Sequence, residues 1–478
     1  MFMRMLYDEE LAQAAYVIGC QRTGEAIVID PERDVDRYIN LAQANGLRLV
    51  ATAETHIHAD FLSGSRELAE QIGAKVYVSD EGDKDWKYEW LNKKIGGGSY
   101  DHQLLNHGDT FSIGNIDFKV LHTPGHTPEH IAFLVTDRGA GANEPIGFAT
   151  GDFIFVGDLG RPDLLETAGN QQGAMEPAAR RLFKTLGVIS DIPDFVQVWP
   201  AHGAGSACGK ALGAVPTSTV GYERRFNPAL QAATSEQDFV DFILTGQPEP
   251  PLYFANMKRD NKIGPSVLNG IPLPPRMTIE ELRSLDASTA VIIDTRKWDA
   301  FRTGHVPKSL YLPLTKSFNT DAGSFIQDTD SIYLIIEPER VEDAVRQLIR
   351  VGLERIQGWF DANDLSQFET TDTPLVSTQH IDVAAAEELL QSSNVHMLDV
   401  RRATEFEEGH ISGATNIAHT RLASRLDEIP DGKHLIVNCR SGGRSSRACA
   451  YLQRMGYEAT NLAGGYLGWD RAHAKTNH

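Results

Sequence analysis

Residues 51–64 read ATAETHIHADFLSG. A β-rich run, LRLVATAET from Leu47, stops there and is followed at once by His56, His58 and Asp60. Side chains at a strand end, or in the loop beyond it, converge on one point, and imidazole and carboxylate are metal ligands. The arrangement recurs further along the chain. LHTPGHTPEH (121–130) adds His126 at a glycine turn, FATGDFIF (148–155) adds Asp152 after another strand-like run, and VWPAHG (198–203) adds His202 after a third. One such histidine would be an ordinary polar loop residue. Four strand-end loops that each end in a metal-capable residue predict a metal centre. His102, His107, His122 and His130 lack that placement and read as structural, with His122 as a supporting neighbour of the ligands.

Working outward, residues 1–245 interleave β-rich runs (AYVIGC, EAIVID, FKVLHT, IAFLV, FVQVWP) with helix-like stretches such as DRYINLAQANG and GSRELAEQIG, which predicts an α/β domain. Seven prolines then fall between Gln247 and Arg276. That density disfavours helix and central strand, so 246–275 is expected to be a linker. Beyond it the chain repeats. IIDTRKWDAFRTGHVPKSLYLPL from Ile292 aligns without a gap with MLDVRRATEFEEGHISGATNIAH from Met397, matching Asp294, Arg296, Phe301, Gly304 and His305 to Asp399, Arg401, Phe406, Gly409 and His410. Two copies of a small α/β domain are expected, 276–370 and 375–478. TIEE from Thr278 is a capping-box pattern and marks the first helix of copy one.

At 478 residues the chain exceeds one compact core. Its 45 basic and 65 acidic side chains give a formal charge of -20, which argues against nucleic acid and anionic membrane as partners. Asp8, Glu9 and Glu10 interrupt the N-terminus where a secretory signal needs an apolar run, and no run is long enough for a membrane span. Four cysteines, Cys20, Cys208, Cys439 and Cys449, are too few for a disulfide framework. A cytoplasmic protein is the expectation.

In HLIVNCRSGGRSSRACAYL a β-rich run ends at Cys439, a glycine-containing loop follows, and a helical pattern begins near Ser445. Backbone N–H groups of such a loop and the helix N-terminus stabilise a thiolate or persulfide. Arg440 and Arg444 add positive charge for an anionic donor or acceptor. A phosphatase loop is the alternative reading, but its cysteine and arginine stand further apart. Copy one reads SIYLIIEPERVEDAV at the same place, with Ile336 or Glu337 where the nucleophile should be. It is expected to serve structure or docking. Cys449, inside the following helix, reads as core.

The first 240 or so residues resemble the metallo-β-lactamase fold, through THIHAD and the later strand-end residues. The resemblance implies an αββα sandwich ahead of the two small α/β domains. Where binuclear hydrolases of that fold carry a further histidine, this chain has Phe61, which should weaken a second metal site and dry that side of the pocket. The best-formed set is then His56, His126 and Asp152, the facial triad of mononuclear non-haem Fe(II) oxygenases. His58, Asp60 and His202 are expected to orient ligands or polarise bound species. THIHAD, PGHTP, TGD and GDLGRPDL resemble the persulfide dioxygenase branch, in which the triad holds iron. Arg161 is a candidate to grip an anionic substrate, with a surface ion pair as the alternative. Cys208, in AHGAGSACGK, is either a sulfur relay near the metal or a small buried thiol.

Residues 375–478 resemble rhodanese, through the cysteine loop and LDVRRATEFEEGHISGA. Together the resemblances imply a persulfide dioxygenase–sulfurtransferase fusion. A low-molecular-weight persulfide and O2 would give sulfite at Fe(II), and a Cys439 persulfide would turn sulfite into thiosulfate. Two rivals stand beside this reading: a glyoxalase II-like thioester hydrolase with two metals, and a sulfur-relay or sensing module on a non-catalytic metal scaffold. The fold also leads us to expect a homo-oligomer, dimer or tetramer.

Overall fold

The computed structural model describes residues 1–168, 171–370, 372 and 374–474. The chain divides into two compact units: Met1–Ile271 with Ile349–Gly352, and Pro272–Leu348 with Leu353–His478. Among the described residues no helix is long and apolar enough to cross a membrane.

The first unit is built on two six-stranded sheets. One is ordered β1 (Phe2–Asp8), β2 (Gln13–Cys20), β3 (Glu25–Ile29), β4 (Arg48–Ala53), β5 (Lys75–Ser79) and β6 (His102–Leu105). The other contains β7 (Thr110–Ile113), β8 (Ile116–His122), β9 (Ile131–Asp137), β10 (Gly147–Gly151), β11 (Gln197–Pro200) and β12 (Ser218–Thr219), in reverse order. Alternation along the strands sends Tyr16, Ile18, Ile27 and Ile29 against Phe118, Val120, Phe133 and Trp199 in one core between the sheets. The opposite faces are covered too. Val17, Val28 and Leu49 meet Tyr38 and Ala42 of the helix Asp36–Ala44, while Phe148 and Val198 lie in a core with Leu182 and Phe239 from the helices Met175–Thr185 and Glu236–Leu244. Helix, sheet, sheet and helix form four layers, the expected sandwich.

The stretch 246–271 departs from the linker expectation, because Phe254–Ile263 is a helix. The prolines cluster at 248–251 and from 265 onward, so the interval between them is proline-free and long enough to close helical hydrogen bonds. Phe254 and Met257 of this helix are buried, and Asn261 locks onto the loop of the metal motif. Its amide donates to the carbonyls of His58 (2.8 Å) and Phe61 (2.7 Å) and its oxygen accepts from Ser63 N–H (2.9 Å).

In the second unit each copy carries its own parallel sheet. The first copy has the order β14 (Leu310–Tyr311), β13 (Ala290–Asp294), β15 (Ser331–Ile336), β16 (Ile356–Asp361). The second has β17 (His380–Ile381), β21 (Ala459–Leu462), β20 (His434–Asn438), β18 (Val395–Asp399), β19 (Thr415–Asn416). The repeat seen in the sequence is repeated in atomic detail. Arg296 grips Asp294 and the Gly304 carbonyl, and Arg401 grips Asp399 and the Gly409 carbonyl, with matching distances. His305 stacks on Phe301 at 3.9 Å and His410 on Phe406 at 3.8 Å. Thr278 forms the capping box that the TIEE pattern predicts.

Asn261→Ala removes three hydrogen bonds and strands two buried carbonyls, so it should destabilise the first unit by about 2–3 kcal/mol. It should also weaken metal retention. Thermal unfolding and metal content check both; full metal occupancy with native stability would show that the helix Phe254–Ile263 does not support the site.

Candidate metal centre and cysteine loop

His56, His126 and Asp152 meet as the strand ends require. One ligand atom from each lies within 4.8 Å of the others, and all three residues are buried. His126 Nε2 stands 3.4 Å from Asp152 Oδ2. The far nitrogens fix the tautomers. Thr55 Oγ1 donates to Asp30, which leaves it to accept from His56 Nδ1–H at 2.9 Å; His126 Nδ1–H donates to the Arg161 carbonyl (3.0 Å) and His202 Nδ1–H to the Ala12 carbonyl (3.1 Å). Each ring therefore turns a bare Nε2 inward. Burial, with the neighbouring imidazoles, pushes the pKa of His56 well below its ordinary value, and burial lowers that of His126 against the pull of Asp152. Neutral imidazoles are what a cation needs.

Both Asp152 oxygens, Asp60 Oδ2 and His202 Nε2 are buried with no hydrogen-bond partner among the described residues. His202 Nε2 lies 3.4 Å from Asp152 Oδ1 and 3.3 Å from Asp60 Oδ2. Carboxylates this buried and without donors are costly unless a cation joins them, so the donor set fits a metal ion. Asp60, His202 and Cys208 form a second convergent trio. Burial, reinforced by Asp60 and Asp152, raises the Cys208 thiol well above its ordinary pKa. Gly151 makes the approach of Asp152 feasible: its φ of 52° is in the left-handed region, and a Cβ there would stand 2.6 Å from Thr55 Oγ1 and 2.7 Å from His130 Nε2.

Sequence reasoning passes over His130 as a support of the site, and it expects His58 to orient the ligands, whereas the structure groups His58 with Asp30 and Glu54. His130 accepts from Asp152 N–H (3.0 Å), pairs with Thr123 (2.7 Å) and stacks on His56 at 5.0 Å. His58 Nε2 pairs with Asp30 (3.2 Å) and Glu54 (3.1 Å). Burial opposes charge on His58, but these carboxylates outweigh it and hold the ring well above its ordinary pKa. His122, expected beside the ligands, instead binds the Pro128 carbonyl (2.8 Å). His102 bonds the Tyr100 carbonyl, and His107 accepts from His122 N–H.

In the second unit, Cys439 follows β20. Its sulfur accepts from Gly442 N–H (3.1 Å) and lies 3.4 Å from the Ser445 hydroxyl, whose proton goes to Asn461 Oδ1 (2.6 Å), ahead of the helix Gly443–Arg454. Gly442, at φ 103°, reverses the chain so that its N–H faces the sulfur. Arg440 is exposed beside it. Arg444 is committed to Glu405 through two hydrogen bonds of 2.6 and 2.7 Å, so the exposed cation of the loop is Arg440. Cys449 is fully buried and its thiol is raised by burial, as a core residue should be.

The sequence pattern of the metallo-beta-lactamase superfamily matches residues 8–202, and that of the rhodanese-like domain matches residues 382–472. A crystal structure of a metallo-beta-lactamase from Staphylococcus aureus subsp. aureus COL is 41% identical, with a TM-score of 0.67, covering 75% of this chain and 98% of that one. The chain carries a metallo-beta-lactamase superfamily domain followed by a rhodanese-like domain. Among curated relatives, a beta-lactamase hydrolase-like protein of Agrobacterium fabrum is 29% identical over 258 residues, 50% of this chain and 54% of that protein, so the match spans about half of that relative's length. The mitochondrial persulfide dioxygenase ETHE1 of Bos taurus is 26% identical over 236 residues, 49% of this chain and 78% of its own.

Within the metallo-beta-lactamase domain, Phe61 is fully buried and packs on the His58 ring at 4.4 Å, so an apolar ring stands directly after the THIHAD motif. Arg161 does not reach outward to a substrate. It is buried, its guanidinium clasps Asp163 through bonds of 2.8 and 2.5 Å and donates to the Ala207 carbonyl, and its own carbonyl holds His126. An ion pair forms, as the alternative had it, but in the interior and not at the surface. In copy one, the ladder pairs Asp294 with Ile335 as it pairs Asp399 with Asn438 in the rhodanese-like domain, which puts Ile336 in the register of Cys439.

Arg161→Met would leave Asp163 buried without its partner, and about 3–5 kcal/mol of stability should be lost. A variant with native thermal stability and only a raised KM would restore the substrate role. Partial burial pushes the Glu405 carboxyl up, but Arg444 outweighs it and brings the pKa down to about 2. A depressed carboxylate stabilises the fold above its unfolded value of about 4.3 and loses that contribution as pH falls through its folded value. Glu405→Gln should therefore be less stable than wild type at pH 7, and the two unfolding curves should converge between about pH 4 and 2; a gap independent of pH would contradict the assignment.

Proposed function

We propose that the chain is a mononuclear non-haem Fe(II) persulfide dioxygenase that oxidises a low-molecular-weight persulfide to sulfite, coupled to sulfur transfer from Cys439 that gives thiosulfate. The observation that carries the reading is the two-imidazole, one-carboxylate set of His56, His126 and Asp152, with Phe61 closing the position of a further histidine. The persulfide dioxygenases among the relatives support it. The domain division belongs to the same proposal: 1–245 for oxidation, 276–370 as a cysteine-free rhodanese copy, and 375–478 for sulfur transfer.

His56, His126 and Asp152 would hold the ion. When bound, ferrous iron supplies open positions for sulfur and O2 and the electrons that start the oxidation. The net change is RSSH + O2 + H2O giving RSH, sulfite and two protons. Around it, His130 and Thr55 fix the ligand orientations, Phe61 keeps water from one side, and Asp60 and His202, whose inward atoms are unpartnered, are placed to hold a proton. In the rhodanese-like domain the Cys439 thiolate takes the outer sulfur of a second persulfide and releases RSH. Sulfite then attacks that sulfur, thiosulfate leaves, and the thiolate returns to the Gly442 N–H, beside the Ser445 hydroxyl.

The second trio of Asp60, His202 and Cys208 favours one rival, a thioester hydrolase of the glyoxalase II kind with two metals. Metal quantification separates them: one iron per chain is expected, and two zinc ions would overturn the oxygenase reading. With glutathione persulfide as probe, Asp152→Ala should abolish O2 uptake. Cys439→Ser should keep uptake and shift the product from thiosulfate to sulfite. Loss of uptake in Cys439→Ser would break the division of labour.

A further inference from the structure

Copy one cannot carry sulfur at Ile336, yet it holds the helix that builds the cysteine loop at both ends. At the far end, Arg454 donates to the carbonyls of Ala287 (3.0 Å), Lys308 (3.0 Å) and Ala290 (3.2 Å). At the near end, the Arg447 guanidinium links three groups. Nη1 donates to the Gly443 carbonyl (2.9 Å), Nη2 to Thr315 Oγ1 (3.0 Å), and Nε is ion-paired with Asp321 Oδ2 at 2.7 Å. Asp321 and Thr315 belong to copy one, whereas Gly443 directly follows the glycine whose N–H meets the Cys439 sulfur.

Asp321 is 1% exposed, and its other oxygen receives His419 Nε2–H at 3.0 Å. Burial alone would raise its carboxyl; His419 and Arg447 outweigh burial and hold it below the ordinary carboxylate range, so the anion is in place. A buried charge costs several kcal/mol when its partner is missing. Arg447 is thereby confined, and with it the carbonyl that ends the sulfur loop. A loop whose N–H groups must point at one sulfur atom loses function with small misplacements.

We propose that the cysteine-free copy is a positioning clamp for the sulfur carrier: Asp321 and Thr315 hold Arg447, and Arg447 holds the Gly443 end of the Cys439 loop. This rests on the reading of Cys439 as the sulfur-carrying thiol. Asp321 and Arg447 are positioning residues that act through the loop.

The test is steady-state sulfur transfer from thiosulfate to cyanide by the full chain. Asp321→Asn and Arg447→Gln should each lower kcat by about 10-fold with KM for thiosulfate changed less than about twofold, and the double variant should be no slower than either single one. Thr315→Val, which removes one hydrogen bond and leaves the ion pair, should lower kcat about twofold at unchanged thermal stability, and it serves if Asp321→Asn does not fold. Arg454→Met, at the other end of the same helix, should lower thermal stability without slowing turnover. Additive losses in the double variant, wild-type kcat in folded Asp321→Asn or Thr315→Val, or losses that track stability with Arg454→Met included, overturn the clamp. Transfer that survives Cys439→Ser would instead overturn the sulfur-carrier reading itself.

Discussion

The first unit is organised around a carboxylate that has nowhere to send its charge. Asp152 is fully buried, its amide N–H is taken by His130, and neither oxygen is reached by a donor among the described residues. In a low-dielectric interior such a group is tolerated when a cation completes it. The surroundings are consistent with that demand, since three imidazoles have their outer nitrogens tied to Thr55, the Arg161 carbonyl and the Ala12 carbonyl, so that each inner nitrogen faces the gap with its lone pair. The sandwich supplies the rigidity. β8, β10 and β11 run in one direction within their sheet, and the residues that follow β8 and β10 meet His56, which follows β4 of the other sheet.

How much of this is legible in the sequence depends on whether the information is local. The candidate ligands follow β-rich runs directly, and that placement gathers His56, His58, Asp60, His126, Asp152 and His202; the narrower set of His56, His126 and Asp152 leans on the resemblance to the fold family. His130 and His58 depend on contacts across the fold. His130 immediately precedes β9 instead of ending a strand, and the fold brings it to the Asp152 N–H. The carboxylates paired with His58 directly follow two different strands, Asp30 after β3 and Glu54 after β4, and only the fold brings both to one ring. Arg161 is different, because its partner Asp163 lies two residues away in GRPDL. A guanidinium and a carboxylate that close in one turn are free to pair with each other.

The linker illustrates the same limit in another form. Proline density averaged over thirty residues hides a proline-free interval, and a helix needs only that interval plus an apolar face to bury. Phe254 and Met257 provide the face, and Asn261 satisfies main-chain groups of the THIHAD loop that would otherwise be buried without partners. In the repeats, by contrast, the gapless alignment carries through to individual hydrogen bonds, because the Asp–Arg–carbonyl motif is short and self-contained. The choice between Ile336 and Glu337 still required the strand ladder, since a one-residue slip is invisible in a motif that lacks its nucleophile.

The cysteine loop and the metal cluster solve opposite problems. The cluster gathers charge that calls for a permanent counter-ion, whereas the carrier proposed at Cys439 must hold anionic sulfur and then let it leave. A guanidinium bonded directly to the sulfur would stabilise the loaded thiol and slow its unloading, since tighter ground-state binding does not speed a transfer. The loop gives Cys439 a neutral donor instead, the Gly442 N–H, with the neutral Ser445 hydroxyl close by, and neutralises Arg444 with Glu405. Neutral hydrogen bonds are weaker than charge-assisted ones and lose their value quickly with misalignment. A carrier that relies on them depends on the rigidity of the backbone that presents them. That dependence gives a cysteine-free copy a physical reason to remain packed against the helix Gly443–Arg454.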